Sequence, residues 1–210
     1  MENTGFPRAG ADSIEDKFED LNNWDILNSN IRLSTNRTNG SSKSIKVYIP
    51  DDEPSNPVAR MDIQKVGNSR PVKVSFDWCD PSGLGSGGGI LFTDVRGNIV
   101  FGHGSDNPQW DRVDGDGWHF TEQGGSYGEW VHVEFTPDWV NGSYDYEITS
   151  DQGRSVSGTG SLGGNSIAAV NIAQWHKSNV RGKQIPDGPS QSPNSGYYVA
   201  MYFDNIVLEY

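Results

Sequence analysis

The chain has 210 residues, which is enough for one substantial hydrophobic core, and it divides into an N-terminal tail over residues 1–13 and one expected domain over residues 14–210. Its formal net charge of -12 disfavours binding to nucleic-acid backbones or to anionic lipid surfaces, because both carry negative charge themselves. Cys79 is the only cysteine, which excludes an intramolecular disulfide, and no run reaches the roughly 18 apolar residues of a membrane-spanning helix.

Short runs of β-branched and aromatic residues, separated by Gly, Asn, Asp and Pro, predict β-strands along most of the chain. Alternation is clearest at residues 129–136, where Val131, Val133 and Phe135 fall on one face and polar residues on the other. The predicted strands span residues 44–50, 57–66, 71–79, 88–95, 98–103, 129–136, 143–149, 166–175 and 197–210. This pattern predicts an all-β fold with two antiparallel sheets packed as a sandwich and very little helix.

Two segments interrupt this pattern. Residues 102–128 and 176–196 are rich in Gly, Pro and Asp, and we interpret both as long connections. The best candidate for helix is a single turn at residues 136–142, where Thr136 is a suitable N-cap residue.

The two ends of the expected domain carry the most specific signals. The phrases KFEDLNNW at residues 17–24 and MYFDNIVLEY at residues 201–210 resemble the first and last strands of concanavalin A-like and laminin-G-like sandwiches and of jelly-roll carbohydrate-binding modules. The resemblance is at superfamily level and implies a jelly-roll sandwich in which the terminal strands lie side by side.

In many modules of this kind the terminal strands share a structural calcium ion. Carried over to this sequence, the resemblance implies Ca²⁺ bound by Glu19 and Asp204, with Asp16 and Asp20 as further candidates. The alternative is that Asp204 satisfies backbone groups at a strand bend. Leu21 stands where the family has glycine, which changes the loop.

Aromatic residues in the first long connection, and at the end of the strand that leads into the second, suggest a binding surface for sugars. Indole rings stack on the apolar faces of sugar rings, while carboxylates and amides bind their hydroxyl groups. The alternative is that each indole covers an open edge of the sandwich. The residues expected to stack are Trp110, Trp118 and Trp175, and those expected to bind hydroxyl groups are Asp111, Asp116, His119 and Gln174.

An enzymatic interpretation competes with binding. NIAQWH at residues 171–176 resembles the Q-I-H strand of jelly-roll alginate lyases, which implies catalysis by His176 and Gln174, with Arg60 and either Tyr198 or Tyr202. The other lyase motifs depart from the family, because ARMDIQK lacks its second arginine and YYVAMYF lacks its lysine and glutamine. No paired-carboxylate motif of a glycoside hydrolase is present.

These observations favour a non-catalytic, lectin-like domain that binds an extracellular polysaccharide. A polysaccharide lyase or glycoside hydrolase is the alternative, and a structural or adhesion domain is the third option. We expect a secreted or cell-surface protein, although residues 1–13 lack the features of a secretion signal.

Overall fold

The computed structural model describes residues 13–27, 31–49, 59–63, 70–80, 87–106, 109–126, 128–175 and 199–210. These residues form fifteen β-strands and contain no α-helix, which confirms the predicted all-β class. Within these ranges, nothing helical is long and apolar enough to cross a membrane. The strands are β1 (Ser13–Asp16), β2 (Asp25–Ile26), β3 (Ile31–Ser34), β4 (Ser44–Ile49), β5 (Ala59–Asp62), β6 (Lys73–Cys79), β7 (Gly87–Thr93), β8 (Ile99–Asp106), β9 (Gln109–Asp114), β10 (Gly117–Gly124), β11 (Trp130–Asp138), β12 (Ser143–Ser150), β13 (Ser155–Ser161), β14 (Ala169–Trp175) and β15 (Val199–Glu209).

Two antiparallel sheets make up the sandwich. The eight-stranded sheet has the order β13-β12-β11-β6-β15-β4-β3, with β1 pairing to β15, and the seven-stranded sheet has the order β10-β9-β8-β7-β14-β5-β2. The inner faces of both sheets contribute to one large buried cluster that includes Phe76, Phe92, Phe101 and Phe135. The alternation predicted for residues 129–136 is confirmed, since Val131, Val133 and Phe135 are buried in β11.

The terminal strands pair as the resemblance implies, but not over the expected residues. Strand β1 covers residues 13–16 and aligns Asp16 with Ile206 of β15, whereas residues 17–24 form an irregular segment. Phe18 in that segment has a positive φ of 54° and packs against Trp24, with ring centroids 5.6 Å apart. The predicted opening strand at residues 17–24 is therefore wrong, although the pairing of the chain ends is present.

A β-bulge in β15 explains its unusual hydrophobic spacing. Asp204 lies opposite Asp77 of β6, but the next aligned pair is Val207 with Ser75, so β15 contains one extra residue. Asn205 occupies the bulge with a φ of 50°. The extra residue reverses the alternation, so that both Phe203 and Ile206 face the core.

The segment interpreted as a long connection at residues 102–128 is mostly sheet. It contains the end of β8, all of β9 and β10, and a tight turn in which Asp114 pairs with Gly117. Residues 136–138 likewise extend β11 and do not begin a helical turn. The Gly and Asp residues did not distinguish loop from strand here, because they occupy both turn positions and strand positions in the same hairpin. The second predicted connection, residues 176–196, lies outside the described residues.

Candidate site on the outer face of the seven-stranded sheet

The β9–β10 hairpin sends its two tryptophans to opposite sides of the sheet. Trp110 faces the core and is 0% exposed, with Thr121 bonded to its carbonyl oxygen. Trp118 pairs in register with Val113 and lies partly exposed on the outer face. The expectation that Trp110 stacks on a ligand is wrong for this structure, because its indole is not exposed to solvent.

Trp118 is held by a carboxylate. Its Nε1 atom donates a hydrogen bond to Oδ2 of Asp111, with a distance of 3.0 Å. Asp111 is fully buried beneath the outer face, so it fixes the direction of the indole and is itself shielded from solvent. The structure therefore brings together two residues that the sequence pattern selected for the same site.

An apolar cluster supports the indole from below. Leu91, Ile99 and Val113 lie on the outer face and are at most 1% exposed, and Trp118 packs against them. Leu91 and Val113 both align with Gly102, whose missing side chain lets them approach one another. A Cβ atom at Gly102 would lie 2.7 Å from Cδ2 of Leu91, so the cluster requires glycine there. We call Asp111, Trp118 and this cluster of Leu91, Ile99 and Val113 the Trp118 site.

His119 and Asp116 do not join the Trp118 site. The Nε2 atom of His119 lies 2.9 Å from Oδ1 of Asp114 on the inner side of the hairpin. Asp116 is exposed at the turn, and its backbone N–H donates to the same carboxylate. Both contacts stabilise the turn, and binding of sugar hydroxyl groups by His119 and Asp116 stays a prediction.

Asp114 ties the hairpin to the opposite sheet. It accepts hydrogen bonds from Arg112 and from the hydroxyl group of Tyr144, the latter at 3.2 Å. Tyr144 belongs to β12 of the eight-stranded sheet, and burial raises the pKa of its hydroxyl group. The hydroxyl group therefore stays protonated and remains a donor, which fixes the hairpin that carries Trp118 relative to the core.

The residues predicted for lyase chemistry do not form one described site. Arg60 lies on β5 of the seven-stranded sheet and aligns with Asn171 of β14. Tyr202 lies on β15 of the other sheet and aligns with Cys79 and Lys46, and it is 5% exposed. Tyr202 and Arg60 thus belong to opposite layers of the sandwich. Gln174 and Trp175 lie on β14 opposite Gly88 and Gly87, while His176 and Tyr198 fall outside the described residues.

The predicted calcium ligands already accept hydrogen bonds from the protein. The two carboxylate oxygens of Asp16 accept from the backbone N–H of Phe18 and from Nε1 of Trp24, both at 2.7 Å. Glu19 accepts from the hydroxyl group of Ser42 at 2.6 Å. Burial raises the pKa of Asp16, against the lowering effect of these hydrogen bonds.

Asp204 is bonded in the same way. Its Oδ2 atom accepts from the backbone N–H of Asn39 at 2.8 Å and from Ser41 Oγ at 2.5 Å, and Oδ1 accepts from the N–H of Asn205 at 2.9 Å. In the described part of the chain, no three acidic, histidine or cysteine side chains form a group that would hold a metal ion. These residues fit a calcium ion poorly, and calcium binding stays a prediction from the resemblance.

The sequence did not predict a polar cluster around Asp77. Asp77 lies on the outer face of the eight-stranded sheet and is 4% exposed. Its Oδ2 atom accepts from the side-chain amides of Asn39 and Asn205 at 3.0 and 2.7 Å, and Oδ1 lies 2.6 Å from Nδ1 of His132. The hydrogen bond to Asp77 raises the pKa of His132. The acidic residue inside the strand KVSFDWC was the available signal, because a buried carboxylate needs partners.

Solved structures of similar fold include proteins that act on carbohydrates. A sialidase matches 97% of this chain at 16% identity with a TM-score of 0.65, but the chain spans only 19% of that sialidase. The apo Crh5 transglycosylase matches 97% of this chain and 86% of its own at 11% identity with a TM-score of 0.63. A Bacillus licheniformis beta-glucanase matches 96% of this chain and 99% of its own at 8% identity with a TM-score of 0.53.

These similarities support the fold, a jelly-roll sandwich of two antiparallel sheets. Because the identities are 16% or less, these similarities show a shared fold and do not show a shared activity. No protein-family model and no curated protein sequence matches the chain.

Proposed function

We propose that this chain is a non-catalytic carbohydrate-binding domain whose ligand contacts the Trp118 site. The observation that carries the proposal is the pairing of a partly exposed indole with a buried carboxylate on a rigid apolar base. An indole face attracts the C–H face of a sugar ring, and the hydrogen bond to the buried Asp111 fixes the direction of that indole. Because both groups are fixed by packing, little side-chain entropy is lost on binding.

The carboxyl groups of the same face bear on turnover, because hydrolysis of a glycosidic bond normally needs two of them, one on each side of the bond. The described outer-face side chains of the central strands β7, β8 and β14 are those of Leu91, Thr93, Ile99, Ala169 and Asn171. Asp106 at the end of β8 falls on the same face by alternation, and its side chain lies outside the described part of the structure. Turnover is therefore tested directly.

The proposal predicts that Trp118→Ala weakens polysaccharide binding at least tenfold, because a lost aromatic anchor costs on the order of 2 kcal/mol of binding free energy. Binding is measured by depletion from solution over insoluble β-glucan, xylan and mannan. Trp130→Ala is the matched control, since Trp130 is also a partly exposed tryptophan but lies on β11 of the opposite sheet. Equal losses in the two variants would contradict the assignment.

An enzyme remains the second candidate, because the structures of similar fold include a sialidase, a transglycosylase and a beta-glucanase. The same polysaccharides are therefore incubated with wild-type protein and assayed for new reducing ends and for unsaturated uronates. Formation of either product by the wild-type protein would replace the binding proposal with an enzymatic one. The same holds for product formed by Trp118→Ala.

A further inference from the structure

Strand β13 forms one edge of the eight-stranded sheet, where it pairs with β12 on one side only. In an antiparallel ladder the N–H and C=O groups of one residue point to the same side, and this direction alternates along the strand. The N–H of Ser150 donates to the carbonyl oxygen of Arg154 at 2.9 Å, which makes these residues a hydrogen-bonded pair at the β12–β13 turn. In steps of two from Arg154, the residues that point their backbone groups at β12 are Val156, Gly158 and Gly160.

The backbone groups of Ser155, Ser157 and Thr159 therefore point away from β12, to the open side of the strand. Ser161 has the same orientation, since its carbonyl oxygen accepts from the N–H of Gly115 at 3.0 Å. Ser155, Ser157 and Thr159 are exposed, and within the part of the chain that the structure describes their outward N–H and C=O groups have no hydrogen-bond partner. Each of them offers one donor and one acceptor to another strand.

Composition distinguishes β13 from the other edges of the two sheets. Natural sheets protect an exposed edge with charged residues, proline or a β-bulge, since an unprotected edge pairs with other strands. Strand β13 has the sequence SVSGTGS and pairs with β12 without a register shift, so it has none of these features. The other described edge strands each contain a charged residue, and these are Glu15 in β1, Asp25 in β2, Arg32 in β3 and Glu122 in β10.

We propose that β13 pairs with β13 of a second copy of this chain, antiparallel and about a two-fold axis that passes between the two Ser157 residues. In this register Ser157 faces its own counterpart, and Ser155 faces Thr159 of the other copy. The outward backbone groups then bond one another in both directions, and the side chains that meet carry hydroxyl groups and no charge. The bond from the β9–β10 turn to Ser161 ends the open edge, so residues 155–159 form the contact.

Charge determines the strength of this contact. Each copy has a net charge of -12, which opposes association at low salt. The acidic residue nearest the axis on the adjacent strand is Glu147, which aligns with Ser157 and is exposed. The two Glu147 positions of a dimer lie about 14 Å apart, or three strand spacings, which exceeds the screening length of about 8 Å in physiological salt. A short uncharged contact between acidic domains therefore predicts a weak dimer that salt strengthens.

Sedimentation equilibrium of the wild-type chain tests the proposal at protein concentrations up to about 1 mM, in about 0.05 M and about 1 M NaCl. We expect a monomer–dimer equilibrium whose dissociation constant falls at least tenfold at the higher salt. Ser157→Pro should weaken dimerisation at least tenfold, since proline removes an outward N–H and leaves the bonds to β12 in place. Ser157→Ala is the matched control, because it keeps the backbone N–H, and it should dimerise as the wild type does.

Cysteine substitutions test the register of the contact. Ser157→Cys places the two new thiols opposite one another at the axis, where Cα atoms lie about 5.5 Å apart and a disulfide can form. Ser155→Cys is the control, because its counterpart lies about 14 Å away along the partner strand. Cys79 is buried and does not compete for oxidation. Oxidation at high salt should therefore cross-link Ser157→Cys at least tenfold faster than Ser155→Cys.

Ser157→Lys provides a second test in case Ser157→Pro lowers the melting temperature. It makes each chain less negative, yet it should weaken the dimer because it places two like charges at the axis. A wild-type chain that stays monomeric at both salt concentrations would overturn the proposal. A dimer that neither Ser157→Pro nor Ser157→Lys weakens would also overturn it, as would equal cross-linking rates for Ser155→Cys and Ser157→Cys, since each result places the contact elsewhere on the molecule.

Discussion

Two glycines on the edge strand β13 lie beneath tyrosine rings of the neighbouring strand. Gly160 aligns with Tyr144 and Gly158 with Tyr146. A Cβ atom at Gly160 would lie 2.3 Å from Cζ of Tyr144, far inside van der Waals contact. Because Tyr144 is 1% exposed and its hydroxyl group bonds Asp114 of the other sheet, the ring has little freedom to move away.

We therefore expect Gly160→Ala to lower the free energy of unfolding by about 2–3 kcal/mol, the usual cost of forcing extra volume into a packed site. Urea denaturation followed by tryptophan fluorescence measures the change. Ser157→Ala is the control, because Ser157 is exposed on the same strand and its replacement should stay within about 0.5 kcal/mol of wild type. Equal stability of the two variants would show that Tyr144 relaxes at no cost.

The same residue-level geometry explains which of the predicted site residues lie together. Trp118 and Asp111 share a face because the tight turn pairs Val113 with Trp118 and Asp111 with Phe120. Trp110 and His119 fall on the opposite face for the same reason. The sequence signalled an aromatic and acidic site, but alternation assigns faces only when a segment is recognised as a strand, and residues 109–124 resembled a loop.

Between β3 and β4, residues 35–43 fold over the outer face of the eight-stranded sheet, and we call them the clasp. Beneath the clasp, Asp77 and Asp204 lie directly opposite one another on neighbouring strands. Like charges at such positions destabilise a sheet, unless donors compensate them. Asn39 supplies two donors, its side-chain amide to Asp77 and its backbone N–H to Asp204.

Asn39→Ala should lower the free energy of unfolding by about 1–3 kcal/mol, since it leaves a buried carboxylate with one fewer donor. The backbone bond to Asp204 remains, so the variant isolates the contact with Asp77. Asn36→Ala, in an exposed part of the clasp, is the matched control and should change stability by less than about 0.5 kcal/mol. The stability of both variants is measured by thermal and urea unfolding. Equal losses of unfolding free energy in the two variants would contradict the role of Asn39.

At the level of elements, the sequence predicted strands where alternation is strong and missed them where it is weak. Strands β6, β11 and β12 alternate apolar and polar residues and were predicted within a few residues of their bounds. Strand β13, SVSGTGS, has one large apolar residue and was missed, because its inner face is built from glycines covered by Tyr144 and Tyr146. Its identity as a strand depends on partners distant in sequence, which local patterning does not encode.

The stability of the whole molecule depends on pH through two histidines in contrasting environments. His103 lies between the sheets, 5.3 Å from the ring of Trp78 and 6.2 Å from that of Phe76. It is 0% exposed, and neither ring nitrogen has a hydrogen-bond partner within the structure as described. Burial lowers the pKa of His103 to about 3. His132 is 47% exposed, and its hydrogen bond to Asp77 raises its pKa.

These shifts have opposite signs. An unfolded histidine titrates near pH 6.5, so below that pH the unfolded chain gains a proton at His103 that the folded protein does not accept. Stability associated with His103 is therefore lost as pH falls from about 6.5 towards about 3. The contribution of His132 is fully present below pH about 6.5 and is lost as pH rises through its raised folded pKa.

The prediction is tested by urea unfolding of wild type, His103→Phe and His132→Gln at several pH values between about 5 and 8. Between pH 6.5 and 5 the wild type should lose about 2 kcal/mol more than His103→Phe, from about 1.4 kcal/mol for each pH unit. His132→Gln is the control of opposite sign and should cost more stability at the acidic end than at the alkaline end. Parallel pH profiles for wild type and His103→Phe would mean that the His103 environment accepts a proton, and hence that water or another polar group reaches the ring between the two sheets.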